Sequence, residues 1–224
     1  MTEKMTFHII TIFPNIFNSY FSESIIKRVQ NKKVVKIKIY DLRRWAKGKH
    51  RQVDDRPYGG GAGMVLMAEP IIKALRVLKL EVRSKKLKVI LLSAKGKKWT
   101  QAMAQRYAKL DNIILICGRY EGVDERVKKF VDEEISVGDY ILTGGEIPAM
   151  VIVDSLTRLL PGALGNSNSA KFESHSQAGI LEHPQYTRPE VLETDGKKYK
   201  VPKVLLSGDH KKIEEWRDKK SEKI

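Results

Sequence analysis

Three short segments of this 224-residue chain set glycine among apolar residues: Leu91-Leu92-Ser93-Ala94-Lys95-Gly96, Cys117-Gly118-Arg119-Tyr120-Glu121-Gly122 and Ile135-Ser136-Val137-Gly138-Asp139-Tyr140-Ile141-Leu142-Thr143-Gly144-Gly145-Glu146. Glycine lets backbone approach a neighbour closely because no Cβ stands in the way. Loops of this kind expose N–H and C=O groups that can hydrogen-bond a purine edge, while short apolar residues sandwich its ring. Any one of them alone reads as a tight turn. Three of them, at the ends of strand-like apolar runs, point to one shared ligand. A fourth glycine run, Arg56-Pro57-Tyr58-Gly59-Gly60-Gly61-Ala62-Gly63-Met64, follows no strand pattern and lacks the Lys-Ser/Thr ending of a phosphate-binding P-loop, so that reading fails.

Other reactive residue types carry less. The two tyrosines Tyr120 and Tyr140 fit a ligand or a packed core equally, and Cys117 reads as a small buried hydrophobe without chemistry. Asp54 and Asp55, between basic residues, read as a salt-bridged turn; Asp154 and Arg158, one helical turn apart, read as a surface pair worth under about 1 kcal/mol. Five scattered histidines offer no paired zinc spacing, and a single cysteine excludes an internal disulfide, which suits a reducing cytoplasm. No apolar run approaches the roughly 18 residues of a membrane span. Met1-Thr2-Glu3-Lys4 leads into a strand pattern instead of a signal-peptide core, so the expectation is a soluble protein with no membrane partner.

The elements that must position these loops alternate. Phe7 to Phe13 and Val34 to Leu42 read as strands, with an amphipathic helix over Asn15 to Lys32 between them. Lys88 to Leu92, Asn112 to Cys117 and Glu134 to Val137 are further short apolar runs, with a helix near Trp99 to Leu110. Alternating strands and helices predict an α/β fold with a mostly parallel, covered sheet. Glu146 to Leu160 has helical periodicity and stops at Pro161-Gly162, after which Gly165 to Ser169 is small and polar. A charged helix near His210 to Lys219 closes the chain.

Charge is uneven. The formal net charge is +15, and from Lys27 to Arg51 eleven basic residues face one acidic residue, Asp41. A stripe this basic attracts a polyphosphate such as RNA, although charge runs also serve as solvated surface.

The glycine loops, together with Arg56 to Met64 and Tyr186-Thr187-Arg188-Pro189, closely resemble the bacterial tRNA (guanine-N1)-methyltransferase family, TrmD, in family order from about Phe7 to Trp216. The resemblance implies a SPOUT-type α/β fold with a mostly parallel sheet, a deep C-terminal trefoil knot and a small, mainly helical C-terminal domain. It divides the chain into a cofactor domain over 1–164, a linker over 165–186 and a tRNA-binding domain over 187–224. It places S-adenosyl-L-methionine against Leu92 and Ser93, against Gly118, Tyr120 and Glu121, and against Val137, Gly138, Tyr140, Leu142, Gly144 and Gly145. Asp55, Arg56, Tyr58 and Ser169 are the implied substrate-binding residues.

The implied reaction is methylation of guanine N1 just 3′ of the tRNA anticodon. It requires a base for the N1 proton and a cation or donor for O6. Glu173 matches the family's Asp position, and His175 is the alternative base; Arg158 matches the arginine that supports O6. Family members form a homodimer whose sites borrow the linker of the partner, and they can depend on magnesium. A SPOUT methyltransferase for another RNA site and a non-catalytic RNA-binding relative are the competing readings. Binding of S-adenosylmethionine separates the last of these from an enzyme.

Overall fold

A computed structural model of the chain describes residues 4–165, 173–175 and 179–223. The chain divides into two compact units, Met1–Gly165 and Asn166–Ile224. In the first unit the strands are β1 (Met5–Thr11), β2 (Val35–Asp41), β3 (Asp54–Asp55), β4 (Val65–Leu66), β5 (Leu87–Lys98), β6 (Asn112–Cys117) and β7 (Glu133–Ser136). Its helices are α1 (Asn18–Phe21), α2 (Ser24–Asn31), α3 (Ala68–Val82), α4 (Gln101–Tyr107) and α5 (Glu146–Thr157). Five strands form one sheet in the order β2-β1-β6-β5-β7, with every neighbouring pair parallel.

The parallel sheet follows from strands that are apolar on both faces. Along β6, Ile113, Leu115 and Cys117 enter one core with Phe7, Ile9, Ile90 and Leu92, while Ile114 and Ile116 enter the other with Ile10, Val89 and Leu91. The alternation is the two-residue period of a strand. Val29, Ala104, Ile152, Val153 and Leu156, from α2, α4 and α5, cover the first face, and Ile71, Ala74, Leu75 and Leu78 of α3 cover the second.

Several expectations need correction. The helix expected over Asn15 to Lys32 is broken into a 3-10 turn (Pro14–Phe17), α1 and α2. The Ser22 hydroxyl bonds back to the Asn18 carbonyl at 2.6 Å, and Ser24 takes a left-handed φ of 47°, which a continuous helix does not permit. As a result Ile16 and Tyr20 face outward instead of joining the core. Helix α3 has no counterpart among the expected elements, yet its buried residues at 71, 74, 75 and 78 repeat at helical spacing, with Pro70 in the first turn.

Strand β5 also runs well beyond Leu92. It loses register with β7 between Leu92 and Lys97, then pairs Lys97 with Ile135 and Lys98 with Ser136. A Cβ on Gly96 would overlap the backbone of Glu134 and Ile135. This glycine therefore serves a chain-on-chain approach within the fold.

The second unit contains β8 (Ile180–Leu181), β9 (Val191–Thr194), β10 (Lys197–Lys200), α6 (His210–Lys220) and β11 (Glu222–Lys223). Among the described residues it is a mixture of one helix and two small antiparallel pairs, β8 with β11 and β9 with β10, which corrects the mainly helical expectation. The hairpin arises at Asp195-Gly196, both at positive φ, the turn chemistry that matches strand twist. Tyr186 and His183 pack their rings on Trp216, each with centroids 6.3 Å away. No described residue of this unit is fully buried.

Candidate active site

In a parallel sheet, ligands gather where strands end and loops diverge. Here Leu92, Cys117 and Ser136 end the regular part of β5 and close β6 and β7, and the loops after them enclose a cleft of about 350 Å³. Leu92, Ser93, Gly118, Tyr120, Glu121, Val137, Gly138, Tyr140, Leu142, Gly144 and Gly145 all line it. The three loops separated in sequence are thus brought to one place. Tyr120 and Tyr140 are 47% and 57% exposed, so neither is a core aromatic.

Backbone contacts hold the loops to one another. The Gly145 N–H donates to the Gly118 carbonyl at 2.8 Å, and Arg119 pairs with Gly144 as an antiparallel bridge. A Cβ on Gly145 would lie 2.6 Å from Cys117 Cα, and one on Gly118 would lie 3.0 Å from the Leu92 carbonyl. Those two glycines allow the loops to close. Gly138 serves a local contact, since the Tyr140 ring folds back over it.

The Arg56 to Met64 segment reaches the same cleft through β4. Val65 bridges to Tyr120, the Leu66 N–H donates to Gly122 O at 3.0 Å, and the Glu121 N–H donates to Met64 O at 3.0 Å. Gly63 lies against the Glu121 side chain. Arg56 and fully exposed Tyr58 nevertheless stand outside the cleft lining. Asp55 accepts from the Arg56 N–H at 2.7 Å and borders a separate hollow with Trp45, Lys47 and Glu69.

Arg158 caps the far end of α5, exposed, with its N–H on the Asp154 carbonyl at 3.2 Å. From Glu146, which starts α5 beside the cleft, the helix rises about 18 Å to reach it. The Asp154 carboxylate accepts the Tyr20 hydroxyl, and that hydrogen bond pushes the Tyr20 pKa up to about 12. Glu173 belongs to the second unit and is half-buried in a short turn; next to it, the Ser174 hydroxyl accepts from Glu182 N–H at 3.0 Å. His175 is exposed and takes a left-handed φ of 65°. Ser169 lies outside the described residues.

Cys117 sits behind the cleft, 3% exposed, and burial pushes its thiol well above the ordinary range, which keeps it protonated and inert. Among the described residues no three of His, Cys, Asp or Glu converge as a metal cage. No helix among them is long and apolar enough to cross a membrane. One feature of the site had no signal in the sequence: Glu146 and Thr11, both buried, meet behind the cleft across 135 residues of chain.

The family described as tRNA (Guanine-1)-methyltransferase TrmD matches residues 5–224. A tRNA (guanine-N(1)-)-methyltransferase of Dictyoglomus turgidum is 54% identical over 213 residues, covering 95% of this chain and 83% of that protein. Those of Listeria welshimeri and Ruminiclostridium cellulolyticum are 50% and 49% identical over 218 residues, covering 97% of this chain and 87% and 91% of theirs. A match across nearly the whole length includes the cleft loops, α5 and the second unit alike, and the chain belongs to the TrmD family of tRNA (guanine-1)-methyltransferases.

Proposed function

We propose that the chain methylates N1 of guanine in tRNA at the nucleotide just 3′ of the anticodon, using S-adenosyl-L-methionine. The observation that carries this reading is the single cleft lined by all three glycine loops. Its residues fit the cofactor: Leu92, Val137 and Leu142 offer apolar walls for a purine, Gly118 and Gly145 leave backbone within reach, and Glu121 supplies a carboxylate at the rim for an ammonium group. When bound, S-adenosylmethionine supplies a methyl group made electrophilic by its sulfonium.

The chain's own residues then manage the proton and the charge. Guanine N1 carries a proton at neutral pH, and the Glu173 carboxylate accepts it as N1 takes the methyl. Negative charge that gathers on O6 is met by the Arg158 guanidinium. Asp55, Arg56, Tyr58 and Ser169 hold the guanosine and its phosphates, and the base leaves its stack to expose its Watson–Crick edge. The basic stripe on α2, the edge strand β2 and the turn after it, with the second unit, grips the tRNA; within the stripe Lys47 already pairs with Glu69 at 2.7 Å. A cytoplasmic setting follows from that substrate.

A homodimer and a SPOUT-type knot belong to the same reading. Helix α5 is apolar nearly all round: Ile152, Val153 and Leu156 are in the core, yet Ile147 and Val151 are 54% and 41% exposed, and Tyr20, 41% exposed, hydrogen-bonds Asp154 of the same helix. A helix apolar on both sides calls for a partner, and a second copy on this face covers it. The bulged return of β5 beside β7 and the closure of Gly145 on Gly118 support the knot. In such a dimer Glu173 serves the cleft of the partner.

The test is methyl transfer to two tRNA transcripts, one with guanosine and one with adenosine just 3′ of the anticodon, mapped by primer-extension arrest. Arrest on the guanosine transcript alone is the expected result. Cofactor binding with methylation elsewhere would transfer the reading to another RNA site, and absence of both would leave an RNA-binding relative.

A further inference from the structure

Directly behind the cleft lies a buried carboxylate with no part in the proton transfer above. Glu146 is 3% exposed, and its Oε1 accepts the Thr11 hydroxyl at 2.8 Å, where β1 ends. Its Oε2 stands 3.5 Å from Arg119 Nε, a charge contact too long for a well-formed hydrogen bond. That Nε is buried and makes no hydrogen bond among the described residues. The same guanidinium donates from Nη1 to the Thr143 carbonyl at 2.8 Å and stacks over the Phe13 ring, 4.6 Å from its centroid.

One arginine from the second glycine loop thus holds the third loop at both its backbone and its carboxylate. Gly144 shows how closely this is fitted: a Cβ there would meet Glu146 Oε2 at 2.5 Å and Arg119 Nε at 2.7 Å. The space over Gly144 is taken by the ion pair, so this glycine is required by the chain itself. Loops of glycine have few side chains to hold their shape, whereas a buried charge pair has one geometry it tolerates well.

We propose that Arg119 and Glu146, seated by Thr11, are positioning residues that fix the separation of the two loops and hence the width of the cleft for S-adenosylmethionine. Neither is assigned contact with the reacting atoms. The inference rests on the reading of the cleft as the S-adenosylmethionine site.

Calorimetric titration of S-adenosylmethionine into the full-length protein and into Arg119→Lys, Glu146→Gln and Thr11→Val tests it, together with separate KM values for cofactor and tRNA. The expected result is binding by the unaltered protein, weakened about tenfold in Arg119→Lys and Glu146→Gln and a few-fold in Thr11→Val, with a double Arg119→Lys/Glu146→Gln variant losing less than the product of the two. The KM for cofactor rises while that for tRNA stays. Binding within about twofold of the unaltered protein in both charge variants, or equal rises in the two KM values, would overturn the pair's role while leaving the cofactor assignment standing. If a charge variant fails to fold, Thr11→Val decides: unchanged affinity counts against the proposal. No binding by the unaltered protein would remove the cofactor reading and the inference with it.

Discussion

The start of α5 and the polar chain beyond its end are built in opposite ways. At the start, Glu146 is buried, the flanking loops are clamped by backbone hydrogen bonds, and the cleft is complete within one unit. Beyond the end, Arg158 is exposed, and Glu173 belongs to a second unit in which no described residue is fully buried. The contrast separates two tasks. A small cofactor is held best by a pre-formed slot. In the proposed function, groups that must meet a base inside a tRNA have to stay accessible until the RNA arrives.

Breaking the outer region has the largest expected effect. Glu173→Gln removes the proposed base and is expected to lower the rate of methyl transfer by about 10² to 10⁴ in single-turnover measurements. Arg158→Ala lowers it by about 10² to 10³. Both leave S-adenosylmethionine affinity unchanged by calorimetry; a parallel loss of affinity would erase the distinction between the regions. An acidic substitution on the exposed face of α5, Val151→Asp, converts the proposed dimer to monomers by light scattering and abolishes transfer while the cleft still binds cofactor.

Substitutions on the inner side act through stability. Gly96→Ala forces a methyl group into the backbone of Glu134 and Ile135 and costs about 1–3 kcal/mol in urea unfolding. The smallest effect belongs to His8, 2% exposed in the sheet, with Nδ1 3.1 Å from Tyr40 Oη and Nε2 3.2 Å from Asn112 Oδ1. Burial lowers its pKa from 6.5, against the raising effect of the Asn112 bond. Above pH 6.5 both states are neutral there and His8 adds no pH dependence. As pH falls below 6.5 the unfolded chain takes up the proton first, so stability declines until the lowered folded pKa is reached. Unfolding of His8→Gln compared with the unaltered protein between pH 7.5 and 5.5 isolates this slope, under about 1.4 kcal/mol per pH unit.

The same division governs what could be read in the sequence. Strands β1, β2, β5, β6 and β7 were legible from β-branched runs, and the cleft loops from glycine that follows those runs. Helix α3 was missed, although Ile71, Ala74, Leu75 and Leu78 keep helical spacing. The break at Ser22 and Ser24 was hidden because it lies in local hydroxyl bonding and one left-handed residue within an amphipathic pattern. Glycine itself was ambiguous. Gly96 and Gly144 are demanded by the chain's own packing, while Gly118 and Gly145 close the loops, and sequence does not distinguish these uses. Contacts such as Thr11 with Glu146 have no local signature, because only the fold brings β1 beside the start of α5.

The most direct test mixes two inactive chains. One carries Ser93→Tyr, which fills its cleft but keeps Glu173; the other carries Glu173→Ala and keeps an open cleft. Each is inactive alone, and the mixed dimer after dissociation and reassociation contains one open cleft facing one intact Glu173. Recovery of guanine-N1 methylation in the mixture is the expected result. Mixed dimers that form, bind S-adenosylmethionine and still transfer no methyl would contradict a site shared between two chains.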